Sequence, residues 1–141
     1  MSEETFKFER CVAGGCFTII HPGHIYFFKK AKLFCKKLYV IVAHDDVVIK
    51  KYGRVVVPQK DRILNVKSIK YVDGVFAGVA EKNYSSFIDK IKPTAWVVGY
   101  DQQPDKEIIE KYKLKVIKIA KYKDYSTKVM LSHEISTVDE V

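Results

Sequence analysis

Two histidines, His21 and His24, bracket a Pro-Gly pair in the stretch GGCFTIIHPGH, which runs from Gly14 to His24. A short apolar run precedes them. An amphipathic pattern follows, in which Ile25, Phe28, Ala31, Cys35 and Leu38 recur at near-helical spacing with lysines between them. A helix that starts at Pro22, where a missing N–H costs nothing, puts His21 at the cap and His24 on the first turn, on nearly the same face. Two imidazoles, the positive end of the helix and free backbone amides then form a site for a polyphosphate, and Gly23 lets a phosphate come close to the backbone. In isolation the HxxH spacing also serves a metal pair, so both readings stay open at this point.

Other chemically capable residues recur after apolar runs. Lys50, Lys51 and Arg54 surround Gly53, as mobile cations that close over phosphates or as an ordinary basic surface loop. Arg62 follows Pro58 on the first turns of a helix, within reach of a phosphate or of Asp61 or Asp73. Asp101, after Gly99, is a sugar or base contact or a turn former. Ser126 and Thr127 suit the cap of a last helix, with a phosphate in front of its amides.

These residues need a frame. Short apolar runs read as strands at Arg10–Cys16, Leu38–Ala43, Gly74–Ala77, Ala95–Gly99 and Leu114–Ala120. Helical patterns fall between them at Pro22–Lys36, Pro58–Lys70, Tyr84–Ile91 and Pro104–Lys113, with a last one near Ser126–Glu134. This alternation predicts an α/β chain, a Rossmann-like three-layer α/β/α arrangement around a five-stranded parallel sheet. The first strand belongs in the middle and the lysine-bearing last strand at an edge. Ligands in such sheets sit at the carboxyl ends of the strands, which is where the segments Phe17–Gly23, His44–Gly53, Tyr100–Gln103 and Lys121–Ser126 emerge. His44–Arg54 is expected to be a mobile clamp, and Lys32→Ala on the first helix to be silent. The chain reads as a single domain over residues 1–141, with its core at about 10–130 and residues 1–8 and 136–141 flexible.

The formal net charge is +8, which favours anionic partners. The basic residues are spread along the chain without a nucleic-acid motif, so nucleic acid is a second choice. No apolar run approaches the roughly 20 residues that cross a bilayer, and the acidic start Met1-Ser2-Glu3-Glu4 does not read as a secretory signal, so a cytoplasmic location is expected. Cys11, Cys16 and Cys35 lie in apolar segments without metal-ligand spacing and read as buried reduced thiols.

FTIIHPGH resembles the HxGH signature of the nucleotidylyltransferase superfamily, the cytidylyl- and adenylyltransferases. The resemblance continues in order through AHDDVVIKKYGR, VVVPQKDR, YVDGVFAG, VVGYDQ and YSTK, over roughly residues 10 to 130. Its details are most similar to the small archaeal FAD synthases, which adenylylate FMN. It implies catalytic roles for His21, His24, Lys51 and Arg54, and nucleotide contacts for Gly15, Cys16, Phe17, Gly23, Asp45, Arg62, Gly99, Asp101, Ser126 and Thr127. It further implies ATP with Mg²⁺ or another divalent ion, a small phosphate ester as acceptor, and no protein-built metal site. The alternatives are a glycerol-3-phosphate cytidylyltransferase, which typically carries tryptophan where this chain has Gln102, a phosphopantetheine adenylyltransferase-like enzyme, and an inactive nucleotide-binding module. Two departures bear on the last of these: Thr18 stands where the family commonly has Asp, and the arginine usual before Ser-Thr is absent, with Lys121 or Lys123 nearby. Monomer and homodimer both stay open.

Overall fold

The computed structural model describes residues 8–81 and 84–122. Ser126, Thr127, Lys123 and the last expected helix lie outside the described residues. Along the chain come β1 (Phe8–Gly15), α1 (Pro22–Lys32), β2 (Cys35–Val42), α2 (Asp45–Tyr52), α3 (Gln59–Lys67), β3 (Gly74–Ala77), α4 (Tyr84–Ile91), β4 (Ala95–Val98), α5 (Lys106–Tyr112) and β5 (Lys115–Lys118). The five strands form one sheet in the order β3-β2-β1-β4-β5, and every pairing is parallel.

Alternation along the strands divides the core. Cys11 and Ala13 of β1 pack with Phe28 and Ala31 of α1 and Val66 of α3 on one face. Val12 and Ile41 pack with Ile88 and Ile91 of α4 and Trp96 on the other, where Ile108 and Ile109 of α5 close the layer. The three-layer parallel α/β frame, with β1 central and β5 at an edge, is the one the alternation of apolar runs predicts. All four residues of β4 are buried, as a strand covered on both faces requires.

Three local expectations are corrected. Cys11 and Cys35 are joined in a disulfide, with Cα atoms 5.9 Å apart, so they are not reduced thiols; Cys16 alone is free. Helix α1 ends at Lys32, and Cys35, Lys36 and Lys37 belong to β2. The segment after β2 is an eight-residue helix, α2, rather than a loop: His44 caps its start by accepting from the Asp46 amide, and Gly53, at φ 89°, ends it in the left-handed region. Prolines also mark helix starts less closely than expected. Pro22 is the first residue of α1, but Pro58 is the cap of α3 and Pro104 precedes Asp105, the cap of α5. Lys111, Lys113 and Lys115 alternate toward the last strand in the sequence, but Lys111 lies in α5, Lys113 ends it at φ 56°, and of the three only Lys115 is in β5.

Candidate active site

A cleft of about 860 Å³ opens at the carboxyl ends of β1 and β4, where the order of connections reverses. Gly15, Cys16, Phe17, Gly23, His21, His24, Lys51, Arg54, Gly99 and Asp101 all line it. The chain reaches this edge through a sharp turn at Phe17, whose φ of 52° puts a bulky residue in the left-handed region. Burial holds it there. The Phe17 ring packs 5.4 Å from Phe28 and edge-on to His24 at 5.4 Å, the kind of overdetermined backbone that recurs at ligand sites.

The two histidines form a reciprocal cap. His21 Nδ1 accepts from the Gly23 amide at 3.1 Å, and His24 Nδ1 accepts from the His21 amide at 3.2 Å. Their rings stack with centroids 3.9 Å apart. With both Nδ1 atoms accepting, the neutral tautomers carry their protons on Nε2, the atom left to donate to a ligand. Burial, with the neighbouring His21 second, lowers the His24 pKa to about 4, so this ring is neutral at physiological pH.

This changes the expected source of donors. Pro22 has no N–H, Gly23 donates to the His21 ring and His24 N donates to the His21 carbonyl at 2.9 Å. The amides read from the sequence as free are therefore taken, and the imidazoles present the hydrogen bonds in their place. Gly23 has a second reason as well. A Cβ there would stand 2.8 Å from His21 Cε1, so the absent side chain makes room for the ring. The first turn of α1 holds no carboxylate, which leaves its positive end uncompensated.

Arg62 and Asp45 are placed differently from the expectation. Arg62 is the fully buried charged residue of the described chain. Its guanidinium donates to the Val57 carbonyl at 2.8 Å, to the Cys16 carbonyl at 2.8 Å and to Asp45 Oδ1. Its partner is neither Asp61 nor Asp73, and with its fork occupied it ties the turn after β1 to the start of α2 rather than meeting a phosphate. Lys51 and Arg54 are exposed at the far end of α2, near the cleft mouth. Lys32, expected to be a bare surface lysine, pairs with Asp73 and donates to the Lys36 carbonyl at 2.7 Å. It is thus part of the frame.

Sequence reasoning missed the aromatic lining of the cleft, where Tyr84, Phe87 and Trp96 stand on the α4 side of the sheet and Phe27 on the α1 side. Tyr84 meets Trp96 edge-on at 5.2 Å, and burial, followed by Asp105 and Cys16, raises its pKa, so the phenol stays protonated. Tyr84 and Phe87 at i and i+3 of an amphipathic helix were the legible signal. Among the described residues no helix is long and apolar enough to cross a membrane.

The cytidylyltransferase-like family model matches residues 12–139. A curated relative from Pyrococcus horikoshii, named FAD synthase, is 43% identical over 109 residues, covering 77% of this chain and 73% of its own. Another FAD synthase, from Methanohalobium evestigatum, is 36% identical over 123 residues, covering 83% of this chain and 81% of its own. Among solved structures, the lipopolysaccharide core biosynthesis protein from Thermoplasma volcanium superposes with a TM-score of 0.72 at 29% identity, over 82% of this chain and 99% of that one.

Proposed function

The chain belongs to the cytidylyltransferase-like family, and from that premise we propose that it is an adenylyltransferase that joins the AMP part of ATP to FMN, giving FAD and pyrophosphate. The observation that carries the reading is the stacked His21–His24 pair at an uncompensated helix start inside the cleft. The identity with archaeal FAD synthases supports FMN as acceptor and adenine as base. We place the reaction in one catalytic domain spanning residues 1–141 and in the cytoplasm.

The chemistry needs no protein nucleophile. FMN's phosphate is largely a dianion at neutral pH, its second pKa being near 6. One of its oxygens attacks the α-phosphorus, the new P–O bond forms, and the bond from the α-phosphorus to the oxygen bridging to the β-phosphate breaks. Pyrophosphate leaves with that electron pair. His21 and His24 donate through Nε2 to oxygens on the α- and β-phosphates and stabilise the charge that grows there. Because His24 is already neutral, it donates a hydrogen bond without serving as a proton source. Lys51 and Arg54 neutralise the triphosphate or the incoming phosphate, and the aromatic lining accepts a flat ring. Gly15, Cys16, Phe17, Gly99 and Asp101 shape the pocket around the nucleotide, and Ser126 and Thr127 are assigned to its phosphates by the motif alone. The described residues hold no group of three His, Cys, Asp or Glu side chains that would bind a cation. A divalent ion brought in with ATP would add charge neutralisation to the departing pyrophosphate.

A panel of ATP and CTP against FMN, glycerol 3-phosphate and phosphopantetheine, read as pyrophosphate, tests the reading. ATP with FMN is expected to dominate, and His24→Ala to lower that turnover by on the order of 10². Preference for CTP would replace the adenylyl assignment with a cytidylyl one. Wild-type turnover in His24→Ala would remove the histidine pair from the chemistry.

A further inference from the structure

The two central strands part early. β1 and β4 pair only at Cys11↔Ala95 and Val12↔Trp96, whereas β1 stays in register with β2 as far as Gly15↔Val42. Past Val12 the β1–β4 ladder stops and the cleft begins. The backbone at this divergence still carries polar groups aimed across the gap. Gly15's carbonyl turns to the β2 side and accepts from Ala43 N at 2.9 Å. Gly14, one residue earlier, therefore faces the β4 side. On β4, Val98's carbonyl accepts from Ile119 N on the β5 side at 2.9 Å, so the next amide, Gly99 N, faces β1.

One side chain spans this gap. Gln102 Oε1 accepts from Gly99 N at 2.7 Å, and Gln102 Nε2 donates to the Gly14 carbonyl at 2.9 Å. A primary amide offers the same donor and acceptor as a peptide unit, so Gln102 replaces the missing rung with a longer one. Gln59 makes a related clip elsewhere, donating to the Val42 and Gly78 carbonyls at 3.0 Å, but there β2 and β3 are still paired at Val42↔Ala77. Gln102 joins strands that have already separated, at the floor of the cleft.

We propose that Gln102 is a positioning residue that sets the distance between the turn leading to His21 and His24 and the Gly99–Asp101 turn, and so fixes the spacing that a nucleotide must bridge. The inference rests on the reading that a nucleoside triphosphate occupies this cleft. A hydrophobic or aromatic residue at position 102 cannot make both bonds, so the clip belongs to chains with a primary amide here.

Gln102→Glu and Gln102→Ala test it, with ATP binding measured by calorimetry and folding followed by circular dichroism. At about pH 8 an ionised glutamate still accepts from Gly99 N but sets a lone pair against the Gly14 carbonyl, so its ATP affinity is expected to fall ~10-fold relative to wild type. That carbonyl also raises the glutamate's pKa. By about pH 5 the protonated acid donates again, and the ratio of variant to wild-type affinity is expected to recover to within ~3-fold. Gln102→Ala should lose affinity at both pH values, and it carries the comparison if the glutamate variant does not fold at the higher one. Wild-type affinity in either folded variant at pH 8 overturns the proposal, as does a glutamate deficit that ignores pH, or a wild-type protein that binds no ATP. A wild-type protein that binds ATP yet releases no pyrophosphate with FMN defeats the acceptor assignment alone, and the binding ratios still decide the role of Gln102.

Discussion

Gly23 is a glycine because of its neighbour. With a Cβ 2.8 Å from the His21 ring, Gly23→Ala must push that ring out of its cap. We expect the variant to melt close to wild type but to release pyrophosphate more slowly by on the order of 10², as when one preorganised donor is lost; undiminished release would show that the His21 ring position is immaterial. His24 makes a second prediction, about stability. Its folded pKa is about 4, lowered from 6.5. Between those values the unfolded chain takes up a proton that the folded chain refuses, so this residue's share of stability is full above about pH 6.5 and declines as pH falls toward 4. Urea midpoints at about pH 7.5 and about pH 5 should therefore differ more for wild type than for His24→Gln. Equal differences would mean that His24 is not shielded from protonation. Spacing in the sequence placed His21 and His24 together at a helix start, but not their reciprocal bonding to backbone, because histidine is not among the usual capping residues.

At the level of elements, buried strands were easy to read and capped or cross-linked ones were not. Ala95–Val98 is an apolar run because both sides of β4 are covered. Helix α2 escaped notice because only Val48 on it is buried, while its ends are held by a histidine cap and by Gly53, residues that read as loop punctuation. The partner of Arg62 was equally hidden, since Asp45 lies 17 residues away and comes close only when α2 forms. The Cys11–Cys35 link has the same origin: the cysteines are 24 positions apart, and the sheet brings them together. That loop encloses the whole HPGH turn and α1. Loop-closure entropy for such a span is worth about 3 kcal/mol. Urea denaturation with and without dithiothreitol should reveal a loss of about that size on reduction. Superimposable curves would mean that the two sulfurs are not joined in solution.

For the whole molecule, the question is what a net charge of +8 is for. Ion pairs such as Lys32–Asp73 and Lys36–Glu9 are internally neutral and account for none of it. The excess of cations belongs to a protein whose proposed substrates are both polyanions. Lys51 and Arg54 stand exposed beside the cleft, so the field that draws ATP and FMN inward is set by the molecule's total charge and focused at the same mouth. Screening should weaken that attraction without disturbing the His21–His24 pair, in which His24 is half-buried and both rings are held by short-range bonds to backbone. Raising sodium chloride from about 50 to about 300 mM is therefore expected to lower kcat/KM for FMN on the order of fivefold, through KM, with kcat and the melting temperature nearly unchanged. Steady-state kinetics across that range read both constants at once. A kcat/KM that stays flat would detach the charge from substrate capture and direct attention to some other anionic partner, while a fall in kcat itself would mean that the exposed cations act in the chemical step rather than in bringing the substrates to it.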